Sequence, residues 1–281
     1  MISMQAILKQ IEFLPVFNQT AQKALKLLLQ YDTNNKDIAE VIKYDPGLTA
    51  NVLKLANSAY FAHSKEINDL LGAVNYLGRD KMFTILTVST AAKYFSKKLP
   101  GYEMFQGELW QHSISTGVIA EHLSYLEPEI NKSSLFTAGI LHDIGKIVLS
   151  TWVSDLWNDI VYMVKNNKTD FVEAENKILG YSHALVGGAI LQRWGFPDVI
   201  VQAAKKHHEI KINTNPVVRI VRLADYMSIL IGFTTSEDNL AYKGYDDLLG
   251  YYQVKTKDLE KILNDCFEII KSVMDDFKKI E

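Results

Sequence analysis

The chain has 281 residues, 48% of them apolar and 22% charged, with a formal net charge of −3. That length can bury a substantial core as one large or two small domains, and the balanced, interspersed charges leave no basic face for nucleic acid. Its longest apolar stretch, Val217 to Phe233, is broken by Arg219, Arg222 and Asp225, so neither a transmembrane helix nor a membrane partner is expected.

Apolar residues recur at spacings of three and four almost throughout, and alternating patterns are nearly absent, so the sequence predicts an all-α fold. The amino terminus lacks the basic, apolar and small-residue pattern of a secretory signal, which points to the cytoplasm. The spacing predicts helices over 3–10, 18–31, 34–44, 47–57, 69–77 and 79–95. Asp45-Pro46-Gly47 closes one of these helices and opens the next. Lys97-Lys98-Leu99-Pro100-Gly101 is the clearest break, and it divides the chain into an amino-terminal helical lobe, 1–100, and a second helical lobe, 101–281.

In the second lobe helices are predicted over 105–125, 132–142, 146–166, 170–179, 182–194, 197–207, 215–232 and 256–279. The polar segment Thr234 to Gly250 reads as a surface excursion. In the last helix Leu259, Ile262, Leu263, Phe267, Ile270, Met274 and Phe277 form an apolar stripe that suits packing against its own domain, with a homodimer through this helix as the alternative. The single cysteine, Cys266, lies in the same helix; it cannot close an internal disulfide and fits a reducing compartment.

The chemistry concentrates in Leu141-His142-Asp143-Ile144-Gly145-Lys146. An imidazole and a carboxylate at neighbouring positions at a helix end can reach one divalent cation, and Lys146 could meet an anionic group that the cation polarises. His112, His183, the His207-His208 pair and Asp225 complete an ordered series of candidate ligands, which takes in five of the seven histidines. Burying such groups without a shared cation would cost about 1–3 kcal/mol for each unsatisfied polar group. Glu108, one turn before His112 on the same helical face, is a possible further ligand, although a glutamate at a helix start also suits the helix dipole.

Taken together these residues resemble the HD superfamily of metal-dependent phosphohydrolases and, more closely, its HDOD branch, the HD-related output domains of bacterial signalling. The HDOD resemblance begins at Leu14-Pro15 and is carried by Asp45-Pro46-Gly47-Leu48-Thr49, by Asn57-Ser58-Ala59-Tyr60, by His183-Ala-Leu-Val-Gly187 and by Trp194-Gly-Phe-Pro197. It implies a two-lobed all-α fold acting as a regulatory module. His112, His142, Asp143 and Asp225 match the ligand positions of the general HD pattern. His183, His207 and His208 match the additional histidines of the HD-GYP phosphodiesterases, Glu108 falls where some of those enzymes place a further carboxylate, and Lys146 corresponds to their phosphate-contacting lysine. The Gly-Tyr-Pro element that names those enzymes is missing after His207-His208-Glu209, so a cyclic dinucleotide substrate is not supported.

Two functions are then expected. One is a signal-transduction output module that keeps a metal-binding HD cavity and works through signalling proteins. The other is a metal-dependent phosphohydrolase or phosphodiesterase, with Asp143 and Lys146 as catalytic groups and a small phosphoester as ligand. Either would hold one or two divalent transition-metal ions; iron or manganese suits the mixed imidazole and carboxylate set, as do nickel and zinc.

Overall fold

The computed structural model describes residues 7, 19–61, 66–167, 169–209, 211, 215–232 and 244–278. Leu14, Pro15, His63, the segment 233–243 and all of the predicted helix 3–10 except Ile7 lie outside the described residues. The protein is 77% helical, and among the described residues it has no strand beyond one isolated bridge between Leu99 and Met104. By internal contacts the chain forms two compact units, one built mainly from Phe95–Phe267 and the other from Leu14–Tyr94 with Glu268–Glu281.

The unit of Leu14–Tyr94 carries α1 (Gln19–Leu29), α2 (Asn35–Ile42), α3 (Pro46–Ala56) and α4 (Leu70–Phe95). Asn34 and Asp45 cap α2 and α3, each side chain accepting a main-chain N–H of the first turn, and Pro46 occupies the opening position of α3. Helix α4 changes direction at Gly78, whose φ of 78° only glycine adopts freely, and so keeps the two predicted segments 69–77 and 79–95. Arg79 donates to the carbonyls of Leu27, Leu28, Gln30 and Tyr31 and satisfies the end of α1. Asn57 donates to the Ile67 carbonyl and accepts its N–H, so the Asn57-Ser58-Ala59-Tyr60 run does structural work by tying the end of α3 to the start of the next segment.

The larger unit carries a 3-10 turn (Pro100–Tyr102), α5 (Glu108–His122), a second 3-10 turn (Leu123–Leu126), α6 (Lys132–Leu141), α7 (Gly145–Asn167), α8 (Phe171–Leu179), α9 (His183–Arg193), α10 (Asp198–Lys206), α11 (Pro216–Ile231) and α12 (Tyr245–Tyr251). The last helix, α13 (Thr256–Lys278), starts in this unit. Helix α12 corrects the expected excursion Thr234–Gly250 over its final residues: buried Tyr245 and Leu248 give this two-turn helix an apolar face. On α13 the buried line is Ile262, Cys266, Ile270 and Val273; of the predicted stripe Ile262 and Ile270 lie on it, while Leu259, Leu263, Phe267 and Met274 are half-buried. No described helix is long and apolar enough to cross a membrane.

Two close backbone approaches bring the ligand-bearing helices together. A Cβ on Gly139 of α6 would lie 2.7 Å from the Gly117 Cα of α5, and a Cβ on Gly145 of α7 would lie 1.9 Å from the His183 carbonyl oxygen of α9. Only glycine permits either contact. The first draws His112 toward His142, and the second draws Asp143 toward His183.

Candidate metal centre

Each predicted ligand is placed by a simple local cause. His112 lies on the buried face of α5. His142 and Asp143 occupy the tight turn between α6 and α7. Ser182 caps α9 and sets His183 at its first position, while His207 and His208 occupy the turn that ends α10. Asp225 and Ser228, one turn apart on α11, face the same ring of His112: Asp225 Oδ1 is 3.1 Å from Nε2, and Ser228 Oγ is 3.0 Å from Nδ1.

Four of the rings converge on Asp143, and its two oxygens divide them. Oδ2 lies 3.6 Å from His112 Nε2 and 3.4 Å from His142 Nε2; Oδ1 lies 3.3 Å from His183 Nε2 and 3.5 Å from His207 Nε2. Asp225 Oδ1 adds a contact of 3.7 Å to His142, and the Nε2 atoms of His183 and His208 are 2.9 Å apart. Two sets of donor atoms result, one of His112, His142 and Asp225 and one of Asp143, His183, His207 and His208. Within each set the atoms lie within 4.8 Å of one another. A transition metal with bonds of about 2.1 Å spaces neighbouring ligand atoms by about 3.0–3.4 Å, close to most of these separations.

Hydrogen bonding fixes how the rings present themselves. Nδ1 of His142 donates to the Gly139 carbonyl (2.7 Å), that of His207 to the Ala204 carbonyl (2.9 Å), and that of His183 to Glu175 Oε2 (2.7 Å). Ser115 donates to the His112 carbonyl (2.8 Å), so it accepts from Ser228, which in turn accepts from His112 Nδ1. With the Nδ1 protons of these four rings committed outward, each of them, when neutral, turns its Nε2 lone pair inward. The His112 and His142 Nε2 atoms then face each other at 3.2 Å. Both oxygens of Asp143, both oxygens of Asp225 and His207 Nε2 are buried without a hydrogen bond of good geometry, although Lys146 Nζ approaches Asp143 Oδ2 to 2.7 Å as an ion pair. Orphaned acceptors gathered round one point are what a cation satisfies, and the residues fit a metal.

The electrostatics agree. Burial pushes the Asp143 carboxyl up, but the Lys146 ammonium and His142 outweigh it and hold the group well below the usual carboxylate range. Burial is likewise outweighed at Asp225, by His112 and His142. His142 and His183 are lowered by burial but raised more by Asp143 and Glu175 respectively, and both end above the ordinary imidazole value. Burial and the neighbouring rings lower His207, and lower His208 further. Ionised carboxylates thus face rings that take up either protons or a metal.

The structure brings together all seven principal ligand candidates and Lys146. Glu108 belongs to neither set; its Oε2 accepts the Phe105 N–H at 2.7 Å, where it caps the start of α5. Sequence reasoning missed Ser115, Ser228, Tyr102 and Glu175. A signal for Glu175 was present: Phe171, Ala174, Glu175 and Leu179 form the buried stripe of α8, and an acid in an apolar stripe needs a partner.

Comparison with known proteins places this geometry. The HDOD domain family model matches residues 14–210. A candidate phosphohydrolase from Shewanella amazonensis SB2B is 20% identical, with a TM-score of 0.72 and 98% of each chain covered. A candidate signal transduction protein from Marinobacter aquaeolei VT8 is 18% identical, with a TM-score of 0.70 over 93% of this chain and 58% of the other. An uncharacterized Treponema pallidum (strain Nichols) protein is 22% identical over 207 residues, 73% of this chain. The chain spans less than half the length of the curated relatives it matches, 40% in that case. The family model covers the Asp45-Pro46 run, the His142-Asp143 doublet and the His207-His208 pair alike, and the chain belongs to the HDOD domain family.

Proposed function

We propose that the chain is a signal-transduction output module of the HDOD type whose larger unit holds one or two transition-metal ions, and that it acts through protein partners. The observation that carries this reading is enclosure. His112, His142, Asp143, His183, His207 and Asp225 are each at most 2% exposed, and only His208 is half-buried. Structural metal sites are closed by protein ligands, whereas catalytic sites keep a position open to substrate. Lys146, also 2% exposed, is engaged with Asp143 and lies over the Tyr102 ring.

A second reading, a metal-dependent phosphohydrolase, is favoured by Lys146 beside Asp143 and by solved relatives described as candidate phosphohydrolases. A divalent ion held by these residues would supply a polarised phosphoryl oxygen and an acidified water. Lys146 would release Asp143 and orient a phosphate, and the half-buried His208 marks the side on which a small phosphoester would enter. Iron and manganese suit the ligand set under either reading.

A hydrolysis screen separates the two. Metal-loaded protein should turn over no phosphomonoester, linear phosphodiester or nucleotide faster than the Asp143→Asn variant does. Turnover that needs both Asp143 and Lys146 would replace the output reading with the hydrolase.

A further inference from the structure

The two ligand sets are supported differently, and the difference centres on a residue outside both. Glu175 is fully buried on α8. Its Oε2 accepts the His183 main-chain N–H at 2.9 Å and the His183 Nδ1–H at 2.7 Å, and its Oε1 accepts the Tyr102 hydroxyl at 2.6 Å. Tyr102, itself fully buried, sets its ring edge-on to His183 at 6.3 Å between centroids and carries Lys146 Nζ 5.7 Å from its ring centroid. Asp143, Lys146, Tyr102, Glu175 and His183 therefore close a buried ring of contacts that ends where it began, on Asp143.

We propose that Glu175 is a positioning residue for one metal subsite: its carboxylate fixes His183 with Nε2 directed at Asp143 and His208, so the subsite of Asp143, His183, His207 and His208 depends on it while that of His112, His142 and Asp225 does not. The inference rests on the metal-binding reading above. A carboxylate can only accept, so the bond to Nδ1 commits that nitrogen's proton and leaves Nε2 as the ligand atom. Among the four rings with an assigned Nδ1 partner, His183 alone has a charged one; His142 and His207 use main-chain carbonyls and His112 a serine hydroxyl. Charge-assisted bonds are stronger and raise the basicity of the ligating nitrogen. Helix capping alone does not account for the arrangement. Ser182 already caps α9 by accepting the Leu185 N–H, and a cap has no use for the Nδ1 bond.

The test is metal titration of chelator-stripped protein with Mn2+, read by equilibrium dialysis and by the spin-coupled electron paramagnetic resonance signal of a paired site. Wild type should take up two ions. Glu175→Gln, which keeps shape but cannot offer two accepting oxygens, should keep the ion at His112, His142 and Asp225, lose the coupled signal, and bind the other ion about 10- to 100-fold more weakly. Tyr102→Phe leaves Glu175 in place without its Oε1 partner and should weaken the same ion by a smaller factor; it also serves should Glu175→Gln not fold. Two ions bound by Glu175→Gln at wild-type affinity, or equal weakening of both, would overturn the proposal. No uptake by wild type would instead overturn the metal-binding reading on which it stands.

Discussion

The two ligand sets meet at Asp143, which belongs to one of them and turns Oδ2 toward His112 and His142 of the other. The set of His112, His142 and Asp225 comes from the interiors of α5 and α11 and from the turn that ends α6, is steadied by serine hydroxyls and a main-chain carbonyl, and has each side chain at most 2% exposed. The set of His183, His207 and His208 comes from a helix start and a helix-ending turn, is steadied by a carboxylate at His183 and a main-chain carbonyl at His207, and includes the half-buried ring. The two halves of the centre therefore differ in what holds their rings and in exposure, since only the second includes a ring that is not fully buried.

The sharpest way to break this comparison is to remove what the halves share. Asp143→Asn should abolish binding at both sets, by more than about 100-fold, since second-shell losses alone reach that size. It should also destabilise the metal-free protein by about 3–5 kcal/mol in urea unfolding, because Lys146 is left buried without its carboxylate. Loss at one set only would mean the sets are not bridged.

Gly145→Ala should come next. Its Cβ would lie 1.9 Å from the His183 carbonyl oxygen, so α7 and α9 must separate. A stability loss of about 1–3 kcal/mol or more is expected, together with weaker binding at the His183 set and an intact His112 set. Ser228→Ala should do the reverse. It removes the acceptor for His112 Nδ1 at a cost of about 1–3 kcal/mol and weakens the His112 set alone, by about 10-fold or more. Metal titration of the two variants side by side reads both effects.

The smallest expected effect lies away from the centre. Burial pushes the Cys266 thiol up to about 12 from an ordinary value of 9.0. Native protein should therefore resist iodoacetamide at pH 8, while urea-unfolded protein reacts. Because the unfolded thiol ionises first, its contribution to stability is complete below about pH 9 and declines as pH rises toward about 12. Rapid alkylation of native protein would show that α13 does not hold Cys266 closed.

Much of this was legible in the sequence because helices and ligands leave periodic or positional marks. The 3.6-residue pattern located the helices and ended one segment at 77 before starting the next at 79, and the order of His112, His142-Asp143, His183, His207-His208 and Asp225 marked the centre. Helix α12 was hidden because two helical turns carry too few apolar residues to set a period. The supports were hidden for another reason: Ser228 and Tyr102 have ordinary neighbours in the chain, and only the folded geometry brings them to His112 and Glu175.

The central claim is that the buried donors hold metal, and elemental analysis of protein purified without chelator or metal-affinity resin tests it most directly. One or two transition-metal ions per chain, lost in a His142→Ala, Asp143→Ala double variant that remains folded, is the predicted result. Wild-type protein that carries no metal and takes none up from manganese or iron would contradict the account.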